Sequence, residues 1–438
     1  MSLMQYAPLF LFLLLFIIMM SGLPIAFCLT FVSIISAWLL WGYNGLNVVI
    51  SSIWGTMNNF SLVAIPLFVF MALLLEKSNI VSDLYDTFYK WFGSIRGGLA
   101  VVSILVGAIV GAVSGVVAAG VVGLGVIALP EMLKYKYDRR ISLGAVMAGG
   151  TLGQLIPPSL NMVVYGAITG VSVASLFAGG ITSGLLLVVL FCAYILIRSY
   201  LNKNLCPSVP PEKRATWGEK ITSLKKITIP ALLILLVLGS ILSGAATPTE
   251  GAAVGAFGAI MFAVITRRIN WPLTKEVCIE TLKTSSMVGW IIAGAAAFSA
   301  VFSGIGGNAL IAQIAMSLPG GKWSVLALSI VFIYFLGMFL ETTGLIMLAA
   351  PIVSPLLVKL GFDPLWWGIV FMTMLQTAFL SPPFGFAIFY LKGVCPKEIK
   401  IEELYWSTLP FIALQLIGIF LLIMFPQFAV WLPKMLIK

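Results

Sequence analysis

Two segments of this chain combine a double proline with polar oxygen donors inside apolar sequence: LGQLIPPSLN (Leu152 to Asn161) and TAFLSPPFGF (Thr377 to Phe386), 225 positions apart. Two consecutive prolines remove two N–H donors and clash with the preceding turn, so neither segment can be one unbroken helix. A break at bilayer depth leaves carbonyls that protein, water or an ion must satisfy. Exposed carbonyls and helix C-termini favour cations, and helix N-termini favour anions. Ser114, Gly115, Gly153, Gln154 and Ser159 then form one polar cluster, and Thr342, Thr343, Gln376, Thr377 and Ser381 the other. Oxygen-rich clusters in a chain without histidine suit a hard cation better than a transition metal. Asn161 and Tyr165 follow the first break and are placed to hydrogen-bond a substrate. For any single Ser, Thr or Gly here, helix packing is the competing role.

Two acids lie within apolar sequence, Glu250 and Glu341. A carboxylate there costs a few kcal/mol unless it is paired or protonated. Glu341 falls midway along a long apolar run, where it either serves a polar site or caps the helix that follows. Glu250 sits in GAATPTEGAAVGA just after a proline, and is read as structural: an acid in the first turn of a helix capped by Thr247 or Thr249.

These residues need helices to hold them in a membrane. Of 438 residues, 61% are hydrophobic and 9% charged. Soluble domains carry about 25% charge, so this is a polytopic, all-α membrane protein. The five cysteines show no metal-ligand spacing and read as free thiols. The net charge of +10 does not indicate nucleic acid, because the cations flank apolar spans. All but four of the 25 Lys and Arg (Lys322, Lys359, Lys434 and Lys438) lie in 76–98, 131–140, 198–226, 267–284 and 392–400. The positive-inside rule makes these five stretches cytoplasmic. Leu99 to Pro130 then starts and ends inside, whereas Ser324 to Leu357 starts and ends outside. Each is expected to be a re-entrant hairpin, with GAVSGVVAAG and Glu341-Thr342-Thr343-Gly344 at the tips.

The remaining crossings are expected near 3–22, 23–41, 60–75, 141–175, 176–197, 227–244, 249–266, 285–303, 364–391 and 405–432, leaving both termini periplasmic. The N-terminus lacks a basic n-region and reads as the first span. Residues 76–98 read as an amphipathic arm with an outer counterpart within 305–319. Scaffold helices are expected in 1–75, 176–284, 285–323 and 392–438, and two repeats, each a hairpin with a broken helix, in 99–175 and 324–391. Pro130 and Pro355, Asp138 and Asp363, Pro157 and Pro382, and Pro158 and Pro383 share the 225-residue offset. With hairpins opening to opposite sides, the repeats are inverted, an architecture that places substrate at the midplane.

On these motifs the chain resembles the large membrane subunit (DctM-type) of tripartite ATP-independent periplasmic (TRAP) transporters. The resemblance runs over nearly the whole chain and rests on IPLFVFMALLLEKSNI (65–80), AGGTLGQLIPPS (148–159), GAATPTEGAAVGA (244–256), GMFLETTGLIMLAAPI (337–352) and LQTAFLSPPFGFAIFYLKGV (375–394). It implies the elevator-type fold of the ion-transporter superfamily and a bacterial inner-membrane location among lipid. It also implies Na⁺-driven uptake of a small organic anion delivered by a periplasmic substrate-binding protein (DctP-type). A small four-helix membrane subunit (DctQ-type) is expected as a separate partner. Under this reading Ser114, Gly153, Gln154, Glu341, Thr342, Gln376, Thr377 and Ser381 serve Na⁺. Ser114, Gly115, Ser159, Asn161, Tyr165, Thr342 and Thr343 serve the substrate. Many relatives carry a second hydroxyl at the first tip, where this chain has Ser114-Gly115-Val116-Val117-Ala118. Rival readings are an H⁺-coupled carrier using Glu341, a channel, and an intramembrane enzyme. The last lacks histidine, an acidic pair and a nucleophile motif.

Overall fold

The computed structural model describes residues 7–114, 117–317 and 319–437, which form α-helices and short 3₁₀ turns with no strand among them. Helices α1 (Ala7–Met19), α2 (Ile25–Trp41), α3 (Tyr43–Met57) and α4 (Ala64–Lys77) open the chain. An amphipathic α5 (Ile80–Phe92) follows and buries Ile80, Val81, Leu84 and Tyr85. The first hairpin is α6 (Gly98–Ser114) and α7 (Val117–Lys134), and the first broken helix is α8 (Arg139–Thr151) with α9 (Leu160–Thr169). Gly170, at φ +74°, ends α9 in the left-handed cap that glycine adopts without a Cβ clash. Next come α10 (Val173–Leu201), α11 (Trp217–Leu242), α12 (Pro248–Ile265), α13 (Trp271–Gly304) and a short α14 (Gly307–Ser317). The second hairpin is α15 (Lys322–Gly337) and α16 (Thr342–Lys359), and the second broken helix α17 (Pro364–Leu380) with α18 (Phe386–Val394). Finally α19 (Ile401–Met424) and α20 (Gln427–Leu436) close the chain. Eight helices among the described residues are long and apolar enough to cross a membrane.

The 225-residue offset extends beyond the prolines. α7 and α16 are both 18 residues long and begin and end 225 positions apart. Asp138 Oδ1 accepts from Ile141 N at 3.1 Å to cap α8. Asp363 Oδ1 accepts from Leu365 N and Trp366 N at 2.8 and 2.9 Å to cap α17. Both Pro-Pro bonds are cis.

Three features depart from the expected spans. Residues 43–57 form a helix that the span reading passed over, because its apolar content suits packing on α2 and α13 rather than a crossing. α13 runs unbroken for 34 residues from an Asn270 cap, since no glycine or internal proline interrupts its charged first half. The expected span 405–432 is two helices, divided at Pro426. Packing also sorts the helices differently from their order. α10 and α19, expected with the scaffold, pack on α6, α8, α9 and α17, the hairpin and broken helices. α2, α3, α4, α12 and α13 pack mainly on one another.

Ion pairs clamp α5 against α11 and the α12–α13 turn. Arg268 Nη1 donates to Asp83 Oδ2 and to the Ser78 carbonyl, both at 2.6 Å. Lys226 Nζ of α11 reaches Asp86 at 3.0 Å, and just ahead of α5 Lys77 Nζ of α4 reaches Glu276 of α13 at 2.8 Å. Burial alone would raise the pKa of Asp86; Lys90 and Lys226 outweigh it and hold the carboxyl below its usual range. Arg268→Ala should therefore loosen the arm. With the Arg268 side chain 35% exposed, screening leaves a loss of about 1 kcal/mol. Hydrogen exchange should quicken across α5; unchanged exchange there would show that the clamp is decorative.

Candidate functional site

Glycines bring the first broken helix against the first hairpin. In AGGTLGQ, Gly149 lies against the backbone of α6 at Ser103, Gly150 against Val121 of α7, and Gly153 against Gly111 of α6. Any side chain at Gly153 would overlap the Gly111 backbone, so the close crossing depends on both residues lacking a Cβ. In the second repeat Gly337 of α15 faces the side-chain methyl of Ala378 of α17, where a Cβ on the glycine would overlap it.

The Pro-Pro loops are closed by hydroxyls. Ser159 Oγ donates to the Gln154 carbonyl at 2.7 Å. Ser381 Oγ donates to the Thr377 carbonyl at 2.7 Å, so the Tyr334 hydroxyl, 2.8 Å away, must donate to Ser381. That bond joins the second loop to the second hairpin. Gln154 Nε2 donates to Thr342 Oγ1 at 3.2 Å, joining the first loop to the tip of the second hairpin across 188 residues.

The two polar clusters therefore meet. Glu341 caps α16: its Oε2 accepts from Thr343 N at 3.0 Å and Gly344 N at 3.4 Å, while Thr343 Oγ1 lies 3.4 Å from Oε1. Glu250 forms a capping box with Thr247, well away from the tips. Thr377 donates back to the Thr373 carbonyl at 3.3 Å. Gln376 is wholly buried, and neither its Nε2 nor its Oε1 has a partner; the Oε1 of buried Gln154 is likewise without a donor. Buried amide atoms are rarely left unpaired without a reason.

Two expected substrate contacts differ from each other. Asn161 lies in the first turn of α9, 5% exposed. Tyr165 is fully buried, and its hydroxyl pairs with Ser354 Oγ at 3.0 Å, which also accepts from Trp367 Nε1 at 3.1 Å. This knot ties α9, α16 and α17 together. Ser354 and Tyr334 were missed in the sequence, although each is a polar residue within an apolar helix, the signal that singled out Glu341. Gly115 lies outside the described residues, as does the side chain of Ser114.

The helix termini at the breaks divide by electrostatics. Ser159 and Gly385, the N-cap residues of α9 and α18, make no side-chain cap bond, so those N-termini keep free N–H groups for an anion. The α16 N-terminus is already occupied by Glu341. Oxygen acceptors without donors, Gln154 Oε1 and Gln376 Oε1, lie near the C-terminal ends at the breaks, a donor set that fits a hard cation.

Two cavities flank this region. One of about 410 Å³ is lined by Ser52 of α3, Asn59, Ser299 and Ser303 of α13 and Met347 of α16. The other, about 300 Å³, is lined by Glu76, Ala118, Val122 and Thr284. Asn59 and Thr284, and Val122 and Met347, are again 225 residues apart.

Residues 12–428 match the family model for the tripartite ATP-independent periplasmic transporter, DctM component. The C4-dicarboxylate TRAP transporter large permease protein of Vibrio cholerae is 30% identical, over 97% of this chain and 97% of that protein. The sialic acid TRAP transporter large permease protein of the same organism is 28% identical, over 95% and 96%. Among solved structures, the Alcanivorax borkumensis YdaH transporter superposes with a TM-score of 0.60 at 16% identity, covering 90% of this chain and 89% of that one.

Proposed function

Because the chain belongs to the DctM family, the large membrane component of transporters that work with a small permease and a periplasmic binding protein, we propose that it imports a small organic anion together with Na⁺ by an elevator motion. The observation that carries the Na⁺ part of this reading is the pair of buried, donorless amide oxygens, Gln154 Oε1 and Gln376 Oε1, one beside each Pro-Pro break. Cations there neutralise a site whose anion end is formed by the uncapped N-termini of α9 and α18, with Asn161 and Ser159 beside the first. Each surplus positive charge carried inward gains about 2.3 kcal/mol per 100 mV, enough to drive accumulation.

The moving body comprises both hairpins and both broken helices with α10 and α19; the frame is α1 to α4 and α11 to α13. Inversion of the two repeats makes the two flanking cavities alternate approaches, one from each side. The relatives' named substrates, a C4-dicarboxylate and sialic acid, are both carboxylates, which supports an anionic cargo. The ligand of the cognate binding protein fixes which anion it is.

Thermal unfolding in NaCl against KCl and choline chloride at equal ionic strength tests the coupling. Bound Na⁺ at 100 times its Kd should stabilise by about 2.7 kcal/mol, and identical melting in all three salts would sink the proposal. The alternative, H⁺ coupling through Glu341, rests on a half-buried acid at the hairpin tip. Glu341→Gln separates the two. An amide oxygen still accepts from Thr343 and Gly344, so a Na⁺-coupled carrier keeps its Na⁺ response and part of its uptake. An H⁺-coupled carrier loses pH-driven uptake altogether.

A further inference from the structure

A cavity of about 380 Å³ lies between α1, α14 and the second hairpin, away from the Pro-Pro breaks. Phe12, Phe16, Phe302, Ile311, Leu328 and Phe332 form much of its wall. Its one polar side chain, Ser329, donates to the Val325 carbonyl at 2.8 Å, so its proton is not available to a ligand. Water in such a space would lack partners. Leu9 and Leu328 on the rim are each 50% exposed, so the cavity opens on an apolar flank of the molecule. At bilayer depth that flank meets acyl chains.

The hairpin that walls the cavity is charged at its open end. α15 begins at Lys322, three residues before wall residue Val325, and α16 ends at Lys359, three residues after wall residue Leu356. Lys322 Nζ stands 5.4 Å from the ring centre of Phe362, three residues beyond Lys359, so both cations lie at the same end of the hairpin. They are the only Lys or Arg between Lys283 and Lys392. They also lie on the side where cations are normally scarce. Among the described residues neither pairs with a carboxylate within 4.0 Å. The nearby Asp363 uses its Oδ1 to cap α17.

We propose that this is a site for one anionic phospholipid, its phosphate on Lys322 and Lys359 and an acyl chain in the cavity. The chain moves between two apolar surroundings, so the cavity supplies shape, and the lysines supply the preference for a negative headgroup. The outer-leaflet placement rests on the topology given above. α1 belongs to the frame and α15 and α16 to the moving body, so the lipid bridges the seam between them and couples membrane composition to the rate of transport.

Native mass spectrometry of the large and small membrane subunits together, delipidated and then titrated with phosphatidylglycerol or phosphatidylcholine, tests this without any transport assay. Retention of phosphatidylglycerol should exceed that of phosphatidylcholine. Lys322→Gln and Lys359→Gln should each weaken the preference about fivefold. Leu328→Trp should lower retention of both lipids by filling the cavity. A photoreactive phenylalanine analogue at Leu328 should give a lipid adduct. Equal retention of the two lipids, an undiminished preference in the double lysine variant, or an adduct to the small subunit or to a second copy would each overturn the site. Both lysines are exposed, so the lysine variants decide the matter even if Leu328→Trp does not fold. A failure of Na⁺ coupling would leave these results unchanged.

Discussion

Gly153→Leu is expected to abolish uptake and to destabilise the protein by about 3 kcal/mol or more. Gly153 sits where the first broken helix passes Gly111 of α6, and a Cβ on either residue would overlap the other's backbone. In most helix contacts an added side chain can turn aside. Here the obstacle is backbone on both sides, so the hairpin itself must move away. Displacing α6 also displaces the loop that Gln154 ties to Thr342, so both polar clusters lose register at once. Gly153→Ala should give a milder form of the same defect. Gly218→Leu is the control, since a Cβ there meets nothing within 4 Å. The measurements are uptake by the reconstituted complex and thermal unfolding of the purified chain. Near-normal values for Gly153→Leu would mean that the hairpin and broken helix do not cross at this glycine.

The parts of this architecture that were legible in the sequence obey local rules. Consecutive prolines break a helix wherever they occur, which located the interruptions after Gln154 and Leu380. The helix pairs at 98–134 and 322–359 were legible because GAVSGVVAAG and Glu341-Thr342-Thr343-Gly344 interrupt long apolar runs midway. Neighbour choice was not legible. α10 and α19 are as apolar as the frame helices, and hydropathy does not say which helix covers which; packing against α8 and α17 does. The stretch 267–284 was read as cytoplasmic, ahead of a span at 285–303, because it carries charges. Those charges in fact project from a continuous helix, Glu276 and Glu280 reaching Lys77. At the site, the polar residues that matter could be picked by type, yet their pairing could not. The Gln154 to Thr342 bond spans 188 residues, and the Tyr165 to Ser354 bond spans 189. That second bond engages a hydroxyl which the sequence offered to substrate.

Gln376→Leu should make the Na⁺-free protein more stable and narrow the stabilisation that Na⁺ adds. Gln376 is wholly buried in α17, and neither amide atom has a partner. An unpaired buried polar group costs about 1–3 kcal/mol, which a leucine of similar size removes. Its repeat counterpart Thr151, by contrast, is bonded to the Ala148 carbonyl at 2.9 Å. On the proposed function the cost is retained because the Oε1 binds the incoming cation. A charge-assisted contact contributes about 1.5–3 kcal/mol, so losing it should weaken Na⁺ affinity by about tenfold or more. The two effects run in opposite directions, the choline baseline rising while the gap between the salts narrows, a combination that a general packing defect cannot imitate. Melting curves in NaCl and choline chloride read both at once. Destabilisation in choline alone would place the amide in a structural bond and remove Gln376 from the cation site.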